Sequence, residues 1–544
     1  MAGSIYFDGG TVWLGPEHGE ADALLVLDGR IAAVGAEARE RAHEADRRED
    51  LGNGFLLPAF GDGHAHPQFG GLEDVGPAVA GCGSVEEVVA EVRRYAAEHP
   101  DAEWITGASY EGSLAPEGLF DARWLDAAVA DRPVMLRAND YHTAWCNTRA
   151  LELAGITAAT PEPELGEIPR RPDGSPLGTL REWGAVELVT AVVPPRALGE
   201  RAAAIDRAAD YYLARGVTWV QDAWVEPDDV EAYLELARRD ALRLRLNLAL
   251  YADPRRFDEQ LPVMLRSRRA VADAGNPRLT ANTVKFFADG VVENQTGALL
   301  EPYCSGLHDH GLRVWDPAAL DDAVRRVDAH GFQIHIHAIG DAAVRQALDA
   351  IEHAVAANGP RDRRPVIAHA QLVDAADMAR FAELGVIACM QPLWAQLDAL
   401  MTVLTVPRLG TERSERQYAL RSLLRTGATL SFGSDWPVSS GAPLEGISVA
   451  VSRTTEAGDP AGGWTPHEIL DVGVALDAYT RAVAFQAFAD ASDAPWGRIE
   501  PGASADLVWL SADPRAVSAP DIARLEVRET YLAGRPAEVR TATH

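Results

Sequence analysis

The stretch 58-PAFGDGHAHPQFGG-71 follows directly on the apolar run 54-GFLLPAF-60 and carries two histidines one residue apart. Residues i and i+2 of an extended strand point to the same side, so His64 and His66 present their imidazoles together at a strand end. Neutral imidazole is the commonest protein ligand for metals. The pattern predicts a metal-binding strand end. Because short motifs produce false matches, two surface histidines in a loop are the alternative, and the remaining sequence decides between them.

Composition restricts the class of protein. Hydrophobic residues make up 47% and charged residues 24% of the 544 positions, which is typical of a globular protein. The length allows one large catalytic domain with appendages. A formal net charge of -31, from 50 Lys+Arg against 81 Asp+Glu, repels phosphate backbones and argues against a nucleic-acid partner.

The lack of a membrane-span pattern, a signal-peptide pattern and a cysteine pair in the sequence predicts the compartment and the partners. No apolar run approaches the roughly 20 residues that span a bilayer, and MAGSIYFDGG lacks the basic and apolar segments of a signal peptide. The chain has four scattered cysteines: Cys82, Cys146, Cys304 and Cys389. No two of them form a C-x-x-C pair, which fits reduced thiols in a cytoplasm. We expect a cytoplasmic protein that acts on a small molecule, with no membrane partner, and leave assembly into a homodimer open.

Short strand patterns occur at both ends of the chain, and strand–helix alternation fills the middle. Residues 1–56 and 491–544 are predicted to form the two parts of one small β-sandwich, with a hairpin signal at Asp28-Gly29. Residues 57–490 are predicted to form a (β/α)₈ TIM barrel, because helical patterns follow eight apolar strand candidates: 54–60, 216–223, 244–251, 283–290, 331–341, 365–371, 385–392 and 428–437. The segment from about 70 to 215 is too long for one crossover and is predicted to be an α/β insert over the barrel mouth.

Polar residues gather at the predicted carboxyl ends of these strands, where barrels of this kind place their active sites. They are His64, His66, Lys285, His335, His337, His369 and Asp435. Each has a structural alternative: a strand histidine is more often a hydrogen-bonded core residue, a lysine can extend to solvent, and an aspartate can cap a helix. Together, on strand ends that form one ring, they predict a single site.

Lys285 is the most informative of these residues. Between Val284 and Phe286 it would lie in a low dielectric, which lowers the pKa of the amine. A neutral amine can take up carbon dioxide and become a carbamate. That change converts a cation into an anionic oxygen ligand able to bridge two metal ions.

Motifs spread over nearly the whole chain carry a family resemblance: FGDGHAHP, TVKFFADG, IHAIGDAAV, IAHAQ, GSDWPV and IEPGASADLVWL, with RANDYHTAWCNTRAL and GTLREW in the insert. They closely resemble the metal-dependent amidohydrolase superfamily, related to urease and dihydroorotase. Within it, the chain is most similar to the amidohydrolase-3 branch that includes N-substituted formamide deformylase. The segment 293–296, ENQT, departs from the small-residue version of that branch, which bears on the substrate.

The resemblance implies a ligand set. His64, His66 and Asp435 match the residues on one metal ion, and His337 and His369 match those on a second. Carboxylated Lys285 would lie between the two ions, which the resemblance suggests are zinc. His337 rather than His335 matches the histidine of the family motif, although both lie on the same strand face.

The resemblance also implies a reaction, hydrolysis of an amide-like C–N bond in an N-substituted formamide or an N-acyl compound. Two divalent ions lower the pKa of a bound water, and Asp435 orients the resulting hydroxide and passes its proton to the leaving amine. His142 is the candidate donor to the developing oxyanion, with a packing histidine as the alternative. The candidate substrate-binding residues are Trp145, Glu182, Trp394 and Trp436, although aromatic residues near a barrel mouth are as often core.

Two other functions stay open from the sequence. A deaminase with a single metal ion on the same scaffold would not need Lys285 as a ligand. A barrel that has lost catalysis and acts as a binding protein should have lost at least one ligand, whereas all six positions are filled here. The number of metal ions per chain would separate the three.

Overall fold

The structure, a computed structural model, describes residues 3–304 and 309–540 and contains one sheet of eight parallel strands. Numbered in chain order, these barrel strands are β1 Phe60–Ala65, β2 Val217–Val225, β3 Arg245–Tyr251, β4 Leu279–Phe287, β5 Gln333–Ala338, β6 Val366–His369, β7 Ile387–Met390 and β8 Thr429–Phe432. Each strand pairs with the next, and the backbone N–H of Asp435, just past β8, donates to the carbonyl of His64 at 2.7 Å. The sheet is therefore nearly closed, and the predicted (β/α)₈ fold is confirmed.

Helices cover the outer face of the barrel, so its strands are buried on both faces and carry the continuous apolar runs typical of parallel sheets. All six residues of β1 and all six of β5 are buried. The surrounding helices are Pro67–Glu73, Leu198–Leu213, Val230–Arg238, Phe257–Ala274, Pro317–Ala329, Asp341–Asn358, Met378–Glu383, Leu420–Arg425, Pro443–Ser452, Val472–Tyr479 and Arg481–Gln486. Two short helices, Val406–Leu409 and Thr411–Ser414, pack against each other, and the first also contacts Val292–Asn294. Within residues 3–304 and 309–540, no helix is both long and apolar enough to cross a membrane.

Helix Pro317–Ala329 illustrates how these helices are specified by the sequence. The carboxylate of Asp316 accepts the backbone N–H groups of Ala318 and Ala319, and proline occupies the first helical turn, where its missing N–H is not needed. Leu320, Val324 and Val327 recur at helical spacing, and all three side chains are buried. The helix therefore covers the sheet with one apolar face.

The terminal segments form two further sheets, one from the N-terminal segment alone and one from both termini. One contains Ile5–Asp8, Leu24–Leu27, Arg30–Val34 and Arg47–Asp50; the other contains Thr11–Gly15, Gly19–Ala21, Phe55–Pro58, Leu507–Leu510, Val527–Leu532 and Arg535–Pro536. Short helices, Ala36–Glu40 and Ala519–Ile522, accompany them. The run 54–60, predicted to be the first barrel strand, is instead divided at Ala59, because Phe55–Pro58 pairs with Thr11–Gly15 and Leu507–Leu510. A continuous apolar run has no periodicity that would mark where one sheet ends and another begins.

The insert has a core of its own. Its four-stranded sheet contains Ile105–Tyr110, Val134–Ala138, Thr143–Cys146 and Thr179–Arg181, and its helices are Val85–Glu98, Ala122–Asp126, Thr148–Leu153 and Glu182–Thr190. Tyr110, Phe120 and Trp145 lie in this core. Helix Leu198–Leu213, which was predicted to belong to the insert, packs against barrel helices Pro67–Glu73 and Val230–Arg238 and is therefore part of the outer ring.

Candidate metal centre

The predicted ligands lie at the carboxyl ends of the barrel strands, at two levels. Lys285 on β4 is opposite His335 on β5, and Phe287 is opposite His337. Ala338 is opposite His369 on β6. His335 is therefore level with Lys285, and His337 lies two residues closer to the barrel mouth. Both histidines point inward and are buried.

His64, His66 and Asp435 form the first group. Oδ1 of Asp435 lies 2.9 Å from Nε2 of His66 and 3.2 Å from Nε2 of His64. One potential ligand atom each from His64, His369 and Asp435 lies within 4.8 Å of the others. His64 is 1% and His66 7% exposed, so the two histidines do not form a surface loop.

The nitrogen atoms already in use indicate how the second pair could hold a metal. Nε2 of His337 lies 3.1 Å from the carbonyl oxygen of Gly290, and Nδ1 of His369 lies 2.8 Å from Oε1 of Gln391. These bonds leave Nδ1 of His337 and Nε2 of His369 for a ligand. A hydrogen bond from the second ring nitrogen is how metal-bound histidines are usually oriented.

The protonation states fit the same purpose. Burial lowers the pKa of the His64, His66 and His337 imidazoles and lowers that of His369 to about 4. Burial opposes ionisation of Asp435, but the imidazoles at its Oδ1 outweigh this and hold the pKa of the carboxyl well below its ordinary value. Neutral imidazoles and an ionised carboxylate are the forms that bind metals, so this donor set fits divalent ions such as zinc.

Lys285 is fully buried, so it does not extend to solvent. Nζ lies 3.3 Å from Nε2 of His64 and 4.4 Å from the ring centroid of Phe287, and no carboxylate of residues 3–304 or 309–540 forms an ion pair with it. Burial lowers the pKa of this amine to about 7. Lys285 is also the only lysine of the chain; every other basic residue counted with it is arginine.

His335 contacts the His64 ring and lies two residues further from the barrel mouth than His337. Its Nε2 lies 2.7 Å from Nδ1 of His64, and its own Nδ1 is buried with no partner among the described residues. A metal ion on Nε2 of His64 would require Nδ1 to carry the proton and donate it, which makes Nε2 of His335 the acceptor. His335 thus lies beside the ligand group rather than at its open face.

His142 reaches the site from the insert. Its Nδ1 lies 2.8 Å from Oε2 of Glu182, and its ring centroid lies 5.5 Å from that of His337. Burial alone would lower the pKa of His142, but the Glu182 carboxylate outweighs it and raises the pKa. Glu182 is 1% exposed and also accepts a hydrogen bond from Thr296. We therefore correct its predicted substrate contact: Glu182 holds His142.

The three tryptophans predicted to bind substrate have different positions. Trp394 lines a cavity that His337, His369 and Asp435 also border, which we call the metal cavity. It stacks on His369, with ring centroids 5.4 Å apart and planes at 4°. Trp145 is 0% exposed in the core of the insert and donates to the carbonyl of Asp121, so the prediction that it binds substrate is wrong. Trp436 stacks on Tyr211 at 4.3 Å and is not among the residues lining this cavity, so its role in substrate binding stays a prediction.

The metal cavity, of about 130 Å³, is bordered by His142, His337, His369, Trp394 and Asp435. Four acidic residues that the sequence analysis missed share this wall: Glu111, Asp140, Glu293 and Asp398. Burial raises the pKa of Asp140, Glu293 and Asp398. Glu293 belongs to the segment 293–296 that departs from the branch pattern, and this departure is the signal that could have identified it.

Two buried aspartates beside the motifs were also missed. Asp289, just past β4, accepts backbone N–H groups of Ala298, Ile339 and Gly340, and burial raises its pKa to about 8. Asp62, two residues before His64, accepts backbone N–H groups of His64 and Ser434, and burial raises its pKa to about 6. Both join neighbouring strand ends and so fix the spacing of the ligands. Their positions next to strand ends in polar motifs were visible in the sequence.

Comparisons with known proteins find a matching family, relatives similar in sequence and a solved structure with the same fold. A family model described as "Amidohydrolase family" matches residues 48–537. The Arabidopsis thaliana protein LONG AFTER FAR-RED 3 is 32% identical over 530 residues, 95% of this chain and 88% of that protein. The N-substituted formamide deformylase of Arthrobacter pascens is 28% identical over 527 residues, 94% of each chain. An uncharacterized metal-dependent hydrolase from Pyrococcus horikoshii has the same fold, with a TM-score of 0.74 at 24% identity over 95% of this chain and 99% of that one.

Proposed function

Because the chain belongs to the amidohydrolase family, we propose that it is a metal-dependent hydrolase that cleaves an amide-like C–N bond, as in an N-substituted formamide or an N-acyl compound. The observation that carries the proposal is the convergence of six buried ligand-type residues at the carboxyl ends of the barrel strands, three of which, His337, His369 and Asp435, line a cavity. The likeness to a deformylase over 94% of both chains supports the choice of bond.

His64, His66 and Asp435 would hold one divalent ion, and His337 and His369 would hold another, with Lys285 between them. When bound, such ions, which we propose are zinc, polarise a carbonyl group and lower the pKa of a water molecule. Lys285 would serve as a bridging ligand after its amine lone pair adds to the carbon of CO₂. That addition forms an N–C bond, releases one N–H proton to the medium and leaves an anionic carbamate.

The chain's own residues move the protons and bind the developing charge. The ionised carboxylate of Asp435 is the base for the attacking water and the carrier of its proton to the leaving amine. His142 uses Nδ1 toward Glu182, and its raised pKa favours the form that also carries a proton on Nε2. That N–H can donate to the oxyanion that forms from the substrate carbonyl.

The cavity wall favours a neutral or positively charged amide over an anionic one. Four carboxylates line it besides Asp435, and no arginine or lysine is among its described lining residues. Trp394 supplies a flat apolar surface beside His369. These carboxylates would repel a negative charge held against them, so we propose that the part of the substrate that lies against this wall, away from the ions, is uncharged or basic.

The test combines a metal count with a substrate panel of N-substituted formamides, N-acyl amino acids and cyclic amides. We expect two metal ions per chain and hydrolysis of an uncharged formamide or acyl amide. His64→Ala and His369→Ala should abolish turnover, while His353→Ala, an exposed histidine on the outer helix Asp341–Asn358, should not. One ion per chain with amine release from a purine or pyrimidine would favour a deaminase, and a metal-free chain with no turnover would favour a binding protein.

A further inference from the structure

A second cavity, of about 310 Å³, lies where the insert meets the barrel. Its walls come from helix Pro67–Glu73, insert strands Ile105–Tyr110 and Val134–Ala138, and the connection 190–196. Phe69, Leu72, Met135 and Val193 make much of the wall apolar. We refer to it as the junction cavity. Its volume is within the range of about 300–1,000 Å³ that is common for small-molecule sites.

Arg137 places a positively charged guanidinium in the wall of the junction cavity, with Cζ 5.9 Å from the ring centroid of Tyr141. Its Nη1 donates to the backbone carbonyl of Tyr141 at 3.0 Å, and no carboxylate of residues 3–304 or 309–540 lies at ion-pair distance from it. The neighbouring charges are already engaged. Glu73 accepts hydrogen bonds from the hydroxyls of Ser109 and Tyr141, and Arg196 lies 3.6 Å from Glu200.

A guanidinium without a carboxylate at ion-pair distance among the described residues, in a largely apolar wall, indicates an anionic ligand. Arg137 is half-buried in this wall; burial lowers the pKa of its guanidinium, and the nearby Asp140 carboxylate acts in the opposite direction. Glu73 on the facing helix also lines the cavity; burial raises the pKa of its carboxyl group, and its Oε1 is already occupied by the hydroxyl groups of Ser109 and Tyr141. A carboxylate is the group that best matches the planar guanidinium, because it can accept two parallel hydrogen bonds.

We propose that the junction cavity binds a small monocarboxylate with an apolar chain, which places its carboxylate on Arg137 and its chain between Phe69 and Met135. A carboxylate at this position would offset part of the cost of keeping the half-buried guanidinium in a largely apolar wall. The apolar wall removes the chain from water.

The junction cavity is next to the metal cavity but separate from it. The rings of Phe69 and Tyr141 are 5.7 Å apart at 6°, and Phe69 also stacks on His66 at 5.6 Å. Tyr141 lines the junction cavity, while its chain neighbours Asp140 and His142 line the metal cavity. Tyr141 holds this turn at φ 58°, an uncommon conformation for a bulky residue. A ligand in the junction cavity would thus touch two rings next to the metal centre without entering it.

The test is titration calorimetry of the full-length protein, as purified, with octanoate, octanol and octylammonium. We expect octanoate to bind at one site per chain and the other two probes at least about 10-fold more weakly. Arg137→Met should weaken octanoate binding about 10- to 100-fold, the value of a charge-assisted hydrogen-bonded pair. Arg149→Met, which removes an exposed arginine paired with Glu152, is the matched control and should bind octanoate like the wild type.

A second variant keeps the proposal testable if Arg137→Met does not fold. Val193→Trp fills the junction cavity without removing the charge and should also abolish octanoate binding, with an unchanged circular dichroism spectrum. Octanoate affinity equal to wild type in Arg137→Met would overturn the proposal, because it would place the carboxylate on the metal centre or elsewhere. Lack of saturable octanoate binding by the wild type would overturn it as well. Octanoate binding is measured with and without added zinc. The result tests the junction cavity even if the protein does not hydrolyse amides, because the assay does not depend on turnover.

Discussion

Labelling the protein with lysine that carries carbon-13 at Cε gives one NMR signal from one residue, because Lys285 is the only lysine of the chain. The perturbation is pH, in the presence and absence of carbon-13 bicarbonate. Above the pKa of about 7 the amine is neutral and can form the carbamate, and below it the amine is protonated and cannot. We expect a carbamate signal at alkaline pH that disappears, in the metal-free protein, as the pH falls through about 7.

The size of the effect follows from the burial of Lys285. An ordinary lysine has a pKa of 10.5, and burial lowers that of Lys285 to about 7. At pH 7 about half of this amine is neutral, against about 3 in 10⁴ for an ordinary lysine, so the reactive form is enriched roughly 10³-fold. The same difference corresponds to about 5 kcal/mol of destabilisation of the ammonium form. Zinc should extend the carbamate to lower pH, because coordination competes with its loss.

The control for this titration is the same labelled protein in concentrated urea, where the lysine should titrate near its ordinary value with no stable carbamate. Native mass spectrometry at alkaline pH should show the added mass of one CO₂ on the folded chain. The reasoning is refuted if the folded-state amine titrates near 10.5, or if the zinc-loaded protein at full occupancy carries an unmodified amine.

Three further predictions concern neighbouring groups. His335→Phe removes the acceptor for Nδ1 of His64 and should weaken zinc binding about 10- to 100-fold in a chelator competition; His335→Gln, with an amide oxygen that can accept, should retain most of the affinity, and equal affinity of the Phe variant and wild type would contradict the role. Glu182→Gln should lower the pKa of His142; since the doubly protonated imidazole exists below that pKa and is lost above it, the alkaline limb of kcat should move to lower pH, and an unmoved limb would argue for a packing role. Lys285→Met should abolish turnover. It should also raise the free energy of unfolding of the metal-free protein at pH 7 by up to about 5 kcal/mol, because Lys285 has a lower pKa in the folded chain than in the unfolded chain, which therefore binds more protons. A lower melting midpoint than that of the wild type would count against this prediction.

The barrel was predictable because its strands are buried on both faces. Each such strand appears as a continuous apolar run with a helical pattern after it, and all eight runs contain or overlap a barrel strand. The error at 54–60 has the same origin. A run that is apolar throughout does not reveal that Phe55–Pro58 pairs in one sheet and Phe60–Ala65 in another.

The centre of the site was predictable because strand ends of one barrel must meet. That rule brought His64, Lys285 and Asp435 together from separate parts of the sequence. The outer wall was not predictable, because it depends on how the insert lies over the mouth. Trp145 follows His142 by three residues but points into the core of the insert, and Glu111 reaches the cavity with no motif around it.

The division at Ala59 has a consequence for the order in which the protein is made. Phe55–Pro58 leads into β1, which carries His64, yet one of its pairing partners is Leu507–Leu510 near the other end of the chain. At about 5–20 residues per second, the ribosome needs roughly 20–90 s between these two strands. During that interval Phe55–Pro58 lacks this neighbour, so the sheet next to β1 can be completed only after nearly the whole chain has been synthesised.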